Sequence, residues 1–228
     1  MNKEISLKIE NLNLFYNKKQ ILKDLNLTVL KRSITAITGP SGIGKSSLLL
    51  ILNQMIREYE NANFTGKITF FEDEKTVDIT NLPNKDLPNL RKKIVYVSQH
   101  PDILPFSIFE NVYFGLKLQG IKKDSAKVLV INALKQVYLY EEVKDRLNES
   151  ATSLSGGQQQ RLILARAIIL KPKILLLDEP TSSLNEELAL KIETLLIELK
   201  KTTSIVIISH FKSQVLKIAD HIHQLESI

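Results

Sequence analysis

The most informative octapeptide in this 228-residue chain is Gly39-Pro40-Ser41-Gly42-Ile43-Gly44-Lys45-Ser46, which continues into Ser47. It matches G-x-x-x-x-G-K-[S/T], a pattern whose glycines let backbone N–H groups turn inward around a phosphate without Cβ clashes. A β-branched run at residues 33–38 precedes it and a helical pattern at residues 45–56 follows it, which a purely structural glycine turn would not require. The octapeptide, called the P-loop below, predicts a phosphate site in which Lys45 faces the outer phosphates and the Ser46 hydroxyl ligates Mg²⁺.

Short β-branched runs elsewhere in the chain predict buried strands. They lie at residues 33–38, 94–98, 174–178 and 205–209. Each run is largely apolar on both faces, as is typical of the central strands of a parallel sheet. Helical patterns at residues 45–56 and 186–201 alternate with these strands. The alternation favours a mostly parallel α/β core.

The N-terminal segment follows a different pattern. Residues 6–15 and 25–30 alternate apolar and polar side chains, so that one face of each run is apolar. Such alternation is typical of antiparallel strands with one buried face. We therefore expect a small N-terminal antiparallel sheet, which residues 67–71 could join.

A long helical region interrupts the α/β pattern at about residues 101–170. It includes strong helical patterns at residues 125–138 and 158–170. We expect the whole chain to be one domain, in which this helical lobe is inserted between the two parts of the α/β core, residues 1–100 and 171–228.

Composition excludes several functional classes. The chain has no cysteine, so disulfide scaffolds, thiolate zinc sites and cysteine nucleophiles are excluded, and its four histidines leave little room for metal chemistry. The longest apolar runs, such as residues 48–52, are far shorter than the roughly 18 residues that a membrane helix needs. A formal net charge of +6 is weak support for nucleic-acid binding in a chain of this length. The composition predicts a cytoplasmic globular protein.

The predicted strand at residues 174–178 ends in a pair of carboxylates, Asp178 and Glu179. A buried charge needs a partner, and a metal-bound nucleotide would provide one. Asp178 is placed to hold Mg²⁺ through water, and Glu179 to orient or deprotonate a water beside the γ-phosphate. By itself the pair would more simply cap the end of a strand, but the P-loop in the same chain favours the catalytic interpretation.

A glycine pair opens one of the predicted helices of the lobe. The segment reads Leu154-Ser155-Gly156-Gly157-Gln158, and we call it the signature. Ser155 and Gln158 have the spacing of a capping box, so helix initiation alone explains them. It does not explain two consecutive glycines, which expose backbone N–H groups at a helix N-terminus and so suit a second anion contact.

The order of these motifs resembles one family. Over nearly its whole length the chain is similar to the ATP-binding subunit of an ABC (ATP-binding cassette) transporter. The matching positions are the P-loop, Gln99 after a strand, the signature, Asp178 with Glu179, and His210 after the last strand. The resemblance implies a P-loop NTPase core with a mostly parallel sheet, an N-terminal antiparallel β subdomain and an inserted helical subdomain.

The resemblance also implies roles for single residues. Tyr16 would stack on adenine, Gln99 would sense Mg²⁺ and the permease, and His210 would contact the γ-phosphate of ATP. Two copies of the chain would sandwich two ATP molecules head to tail, with the signature of one copy facing the nucleotide on the partner's P-loop. His221 and His223 match no motif and are expected to be structural.

One departure from the family pattern changes a charge. The run after Glu179 usually reads Pro-Thr-Ser-Ala-Leu-Asp, but here it ends in Asn185, which keeps the size of aspartate and loses its charge. This departure bears on coupling between the two ATP sites and leaves ATP binding untouched. Asn185 also suggests an alternative function, a regulator that binds a nucleotide without hydrolysing it. Because Glu179 is present, hydrolysis is nevertheless expected.

Further segments are similar to those of phosphate-import ATPases. They are Phe15-Tyr16 with residues 22–27, residues 52–55, residues 107–112 leading to residues 115–116, and residues 143–147. Ser98, which replaces the phenylalanine more common before Gln99, departs from that likeness. Another cargo, such as an amino acid, a metal or the substrate of an export system, stays open.

The same resemblance implies partners and location. The subunit would work with two membrane permease subunits and indirectly with an extracytoplasmic solute-binding protein, on the cytoplasmic face of the cell membrane. A soluble relative that acts on nucleic acid or ribosomes is the alternative. Such relatives carry a long coiled coil or a second cassette, and this chain has neither a long heptad segment nor a second P-loop, so no nucleic-acid partner is expected.

Overall fold

The computed structural model describes residues 4–72 and 75–226, and these pack into two compact units. The first, called the core unit, takes the described residues up to Tyr96, then Lys173–Asp178, and the described residues from Lys200 onward. The second, called the helical unit, consists of Val97–Pro172 and Glu179–Leu199.

The described residues form nine strands and eight α-helices. In chain order they are β1 (Ile5–Tyr16), β2 (Lys19–Leu30), β3 (Ile34–Thr38), α1 (Lys45–Leu52), β4 (Ala62–Glu72), β5 (Lys75–Asp78), α2 (Leu87–Lys93), β6 (Ile94–Val97), α3 (Ile108–Lys117), α4 (Lys123–Gln136), α5 (Tyr140–Val143), α6 (Gly156–Ile168), β7 (Ile174–Asp178), α7 (Glu186–Leu199), β8 (Ser204–Ile208), α8 (Lys212–Ile218) and β9 (His221–Gln224). Within this described part, no helix has the combination of length and apolar character that crossing a membrane requires.

A five-stranded sheet of order β6-β7-β8-β3-β9 carries the P-loop. β7 pairs parallel with β8, and β3 pairs parallel with both β8 and β9. All residues of β7 and β8 are buried, as the continuous apolar runs predicted. The mostly parallel α/β core is therefore confirmed.

The predicted N-terminal antiparallel sheet is also confirmed. Its strand order is β2-β1-β4-β5, and each neighbouring pair is antiparallel. One face of β1 buries Leu7, Ile9 and Leu12 completely or nearly so, in the same apolar cluster that contains Leu48 of α1 and Leu176 of β7. Each fully buried aliphatic side chain contributes roughly 1.5–3 kcal/mol, so this cluster fixes α1, and the P-loop before it, to the core unit.

The helical unit is built around α6. Helices α3 and α4 pack against α6 and against each other, and α7 belongs to the same unit. The Ser107 hydroxyl caps α3 by accepting a hydrogen bond from the Glu110 backbone N–H at 3.1 Å. The helical patterns at residues 125–138 and 158–170 correspond to α4 and α6 within about two residues, a usual uncertainty for helix ends.

One predicted helix is shorter than its pattern. The pattern at residues 45–56 predicted a single helix, but α1 ends at Leu52 and Met55–Glu58 forms a short 3-10 helix. The Asn53 side chain accepts a hydrogen bond from the Met55 backbone N–H at 3.1 Å, and Gln54 has a positive φ of 62°. Asparagine side chains compete with helical backbone bonds in this way, which explains the early end.

Candidate functional site

The P-loop connects β3 to α1 in the core unit, and its backbone requires glycine. Gly39, Gly42 and Gly44 have φ values of 140°, 77° and 103°, a region that side chains disfavour. A Cβ atom on Gly39 would lie 2.8 Å from the carbonyl oxygen of Leu225, and one on Gly44 would lie 2.7 Å from Cγ2 of Ile21. Conformation therefore disfavours a side chain at all three positions, and limited space adds to this at Gly39 and Gly44.

Lys45 is held against the P-loop that precedes it. Its ammonium group donates hydrogen bonds to the carbonyl oxygens of Gly39 at 2.9 Å and Pro40 at 2.8 Å, and the residue is only 6% exposed. Gly44 precedes α1 without a side-chain cap, so the first N–H groups of the helix are left to other acceptors. A cation and a helix N-terminus at one loop form an arrangement that suits phosphate oxygens.

The other residues of the P-loop differ in their exposure to solvent. Ser41 and Ser46 are exposed, whereas Ile43 is partly buried and packs on the apolar cluster of the core unit. Ser47, in the first turn of α1, shares a hydrogen bond of 3.1 Å between its hydroxyl and that of Tyr16, the last residue of β1. The structure therefore brings Tyr16 to the helix that follows the P-loop.

Asp178 ends β7 and is only 3% exposed. The Tyr96 hydroxyl, on the neighbouring strand β6, donates a hydrogen bond to Oδ2 of Asp178 at 3.1 Å. Burial, followed by the charge and hydrogen bond of Asp178, raises the pKa of Tyr96 far above its ordinary value of 10.0. The phenol therefore remains a proton donor to this carboxylate.

Oxygen donors on the core unit fit a magnesium ion that also binds a nucleotide. Mg²⁺ prefers one or two carboxylates together with substrate phosphates and water, rather than a cage made wholly by the protein. Over residues 4–72 and 75–226, no group of three or more His, Cys, Asp or Glu side chains converges into a metal site. Asp178 and the exposed Ser46 hydroxyl supply donors of the right chemistry for such a shared ion.

His210 follows β8 and is exposed at an open cavity of about 440 Å³. The same cavity is lined by Gly39 and Pro40 of the P-loop and by Gln224 of β9. Within the core unit, Tyr16 and His210 therefore lie at the P-loop or the helix after it, and Asp178 ends a strand of the sheet that carries this loop.

Glu179 belongs to the helical unit and has an unusual backbone conformation. Its φ is 48°, a left-handed value that costs a non-glycine residue of order 1–3 kcal/mol. Its carbonyl oxygen accepts hydrogen bonds from the backbone N–H of Ser182 at 3.2 Å and the Ser182 hydroxyl at 3.1 Å, which forms a tight turn. The catalytic role of Glu179 stays a prediction, because Asn17, Tyr138 and other non-glycine residues also have a positive φ. Gln99, also in the helical unit, is half-buried.

The signature forms the capped start of α6. The Ser155 hydroxyl accepts a hydrogen bond from the Gln158 N–H at 3.4 Å, and Gln158 Oε1 accepts one from the Ser155 N–H at 3.0 Å, so the predicted capping box is present. A Cβ on Gly157 would lie 2.9 Å from the carbonyl oxygen of Ser183, so packing within the chain requires glycine there. A Cβ on Gly156 would meet nothing within 4 Å, and this residue lacks a positive φ. The chain's own packing therefore does not require glycine at position 156.

Glu142, which the sequence reasoning did not identify, links the signature to a buried arginine. It accepts hydrogen bonds from Gln158 Nε2 at 2.9 Å and from Arg161 Nη1 and Nη2 at 2.6 and 3.0 Å. Arg161 is 3% exposed and also donates to the carbonyl oxygen of Tyr138. The hydrogen bond from Arg161 is the main cause that lowers the pKa of Glu142 below its ordinary value of 4.5. No local pattern joins positions 142 and 161, so only the fold reveals this link.

Asn185, which stands where the family pattern has aspartate, makes a local hydrogen bond. Its Oδ1 accepts a hydrogen bond from the Leu188 backbone N–H at 2.9 Å at the start of α7. Aspartate would make the same bond, so this contact survives the substitution and only the charge differs.

Comparison with known proteins identifies close relatives. The family model described as "ABC transporter" matches residues 22–182. "Phosphate import ATP-binding protein PstB 1" of Vibrio parahaemolyticus is 44% identical over 221 residues, which cover 96% of this chain and 79% of that protein. The protein of the same name from Lactococcus lactis is also 44% identical, over 96% of this chain and 85% of its own.

Solved structures agree with the fold. The dimeric ATP-binding cassette MJ0796, in a post-hydrolysis state bound to ADP and phosphate, superposes with a TM-score of 0.84 at 27% identity. The match covers 96% of this chain and 94% of that one. An ATP-bound bacterial Atm1-family ABC exporter superposes with a TM-score of 0.82 at 25% identity, over 99% of this chain and 38% of that one.

Proposed function

Because this chain belongs to the ABC transporter family, we propose that it is the subunit that binds and hydrolyses ATP for a phosphate importer. The observation that carries the ATPase is the P-loop, in which three glycines have a positive φ and the ammonium of Lys45 is held against the carbonyl oxygens of Gly39 and Pro40. Phosphate as cargo is supported by the names of relatives that are 43–45% identical over at least 95% of the chain.

ATP binds to the core unit. The N–H groups of the P-loop and of the first turn of α1, including those of Ser46 and Ser47, donate to the phosphates. The Lys45 ammonium exchanges its two carbonyl partners, 2.8–2.9 Å away, for the outer phosphates. Tyr16 lies beside Ser47 and presents its ring to the adenine.

Hydrolysis depends on a positioned water and on balanced charge. Mg²⁺, when bound by Ser46 and Asp178 and contacted by Gln99, would neutralise charge that develops on the leaving phosphates. Glu179 orients the water and accepts its proton, and His210 contacts the γ-phosphate from the exposed end of β8. The left-handed backbone of Glu179 and its turn with Ser182 fix the point from which its side chain leaves the main chain.

A second copy of the chain completes each ATP site. Ser155, Gly156, Gly157 and Gln158 of one copy present the start of α6 to the nucleotide on the partner's P-loop. The open space around Gly156 supports this arrangement, because packing within the chain does not require glycine at that position. The dimeric state of MJ0796 in its solved structures supports the same arrangement.

The dimer drives transport through other proteins. Two permease subunits carry the cargo across the membrane, and a solute-binding protein delivers it from outside. The chain itself lies on the inner face of the membrane as a peripheral subunit. The words "import ATP-binding protein" in the names of its relatives support this division of labour.

Co-purification followed by reconstitution tests the proposal. The membrane proteins that co-purify with this chain are reconstituted in liposomes with the chain and the solute-binding protein encoded with them. ATP hydrolysis should then rise with phosphate on the solute-binding side, and labelled phosphate should accumulate across the membrane. Transport that responds to another solute and not to phosphate would contradict the cargo, while ATP hydrolysis that no solute affects would contradict the import role.

The Lys45→Ala variant is the matched control, since it removes one ammonium group from the P-loop and leaves the glycine turn in place. Reconstituted in the same way, it should support neither hydrolysis nor uptake.

A further inference from the structure

Tyr96 contacts Asp178, the candidate magnesium ligand, and takes no part in the binding and hydrolysis of ATP proposed above. Its hydroxyl donates a 3.1 Å hydrogen bond to Oδ2 of Asp178, across the adjacent strands β6 and β7 of the parallel sheet. Both residues belong to the core unit.

From this contact we infer that Tyr96 is a positioning residue, which fixes the orientation of the Asp178 carboxylate and leaves its Oδ1 oxygen available to the magnesium ion that would accompany ATP. The inference rests on the proposed function, because it concerns the ion that accompanies ATP. Tyr96 itself contacts neither ATP nor the ion and acts only through Asp178.

The physical basis is the wide rotational freedom of a terminal carboxylate. The Cβ–carboxyl torsion of aspartate is broad and roughly two-fold, so an unrestrained carboxylate samples many directions. A hydroxyl donor on one oxygen selects one orientation and leaves the second oxygen to other ligands. Outer partners of metal ligands act in this way in metal sites generally, and their loss weakens metal affinity.

The burial of Asp178 makes its hydrogen bond from Tyr96 hard to replace. Asp178 is only 3% exposed, so little water reaches it to replace a lost hydrogen bond. An aspartate in such a place needs a donor within the protein, and a hydrogen bond to a charged group is worth more than one between neutral groups. Tyr96 supplies that donor from a strand fixed in the sheet, so the orientation is set before MgATP binds.

The Tyr96→Phe variant tests the inference, because it removes one hydroxyl and keeps the ring. Affinity for Mn²⁺ in the presence of a non-hydrolysable ATP analogue is measured from the free-ion signal in electron paramagnetic resonance. We expect the ion to bind about fivefold more weakly in the variant, the equivalent of one lost hydrogen bond. Affinity for the nucleotide in EDTA should be unchanged, and the Mg²⁺ concentration for half-maximal hydrolysis should rise by the same factor.

Tyr113→Phe is the matched control. The Tyr113 hydroxyl is another part-buried donor, 2.7 Å from the carbonyl oxygen of Ile121, but it belongs to the helical unit. Tyr113→Phe should lose about as much stability as Tyr96→Phe does, but it should bind Mn²⁺ as tightly as the wild-type protein.

The outcomes separate the two proposals. Equal or tighter Mn²⁺ binding by Tyr96→Phe, with wild-type nucleotide binding intact, would overturn the positioning role and leave the ATPase assignment standing. An equal loss in Tyr96→Phe and Tyr113→Phe would also overturn it, because it would show a general effect of stability. A wild-type protein that binds no nucleotide would remove the proposed function and the inference together.

Discussion

Glu179 is the single residue on which the proposed turnover depends most. Its left-handed φ of 48° is tolerated in a turn that its own carbonyl closes with Ser182. A glutamine at this position keeps the size and the hydrogen-bonding reach but accepts no proton.

We expect Glu179→Gln to bind ATP as the wild-type protein does and to release phosphate about 10²–10⁴-fold more slowly. A coupled assay of phosphate release measures the rate, and a fluorescent ATP analogue measures the affinity. Glu187→Gln is the control, since Glu187 is an exposed carboxylate of α7 paired with Lys191 at 2.7 Å. Steady-state hydrolysis at the wild-type rate in Glu179→Gln would show that another group activates the water.

At the scale of elements, the two glycines at the start of α6 differ in their packing. Gly157 lies against the carbonyl oxygen of Ser183, whereas Gly156 faces open space. The two neighbouring glycines should therefore respond differently to the same added methyl group.

Gly157→Ala should lose about 1–3 kcal/mol of unfolding free energy, because its Cβ would lie 2.9 Å from a backbone atom. Gly156→Ala should stay within about 0.5 kcal/mol of the wild type, yet weaken dimer formation with MgATP. Urea unfolding measures the first quantity, and light scattering in the Glu179→Gln background measures the second. Full dimer formation by Gly156→Ala would contradict the placement of the signature at the partner's nucleotide.

The link between α5 and α6 predicts a pH dependence. The pKa of Glu142 is lowered in the folded state, mainly by its hydrogen bond from Arg161. A carboxylate with a lowered pKa contributes stability above its unfolded value, and the contribution is lost as pH falls through the folded value.

Because the Glu142 carboxylate is partly exposed and screened by water, Glu142→Gln should be less stable than the wild type by only about 0.5–1 kcal/mol at neutral pH, and the difference should shrink below the ordinary pKa of 4.5. Urea unfolding between roughly pH 3 and 7 measures both values. Glu141→Gln is the control on the same helix: Glu141 pairs at 2.9 Å with the exposed Lys144, and its loss should have little effect at neutral pH. A difference that persists unchanged at acid pH would exclude the ion pair as its cause.

At the scale of the whole molecule, the sequence predicted what depends on local pattern. The buried runs at β7 and β8 and the glycine spacing at residues 39–46 led directly to the parallel core and its phosphate turn, because both patterns are local. The Tyr96 contact with Asp178 joins residues 82 positions apart, and Glu142 with Arg161 joins residues 19 apart. Such pairs depend on strand order and helix packing, so no single-sequence pattern indicates them.

Binding of ATP to the P-loop is measured most directly by isothermal titration calorimetry with Mg²⁺ and a non-hydrolysable ATP analogue. We expect one nucleotide to bind per wild-type chain. Lys45→Ala, which lacks the ammonium that now bonds to Gly39 and Pro40, should bind at least about tenfold more weakly. Equal affinity in the two proteins, or no binding by the wild type, would contradict the assignment of residues 39–46 as the site that holds the phosphates.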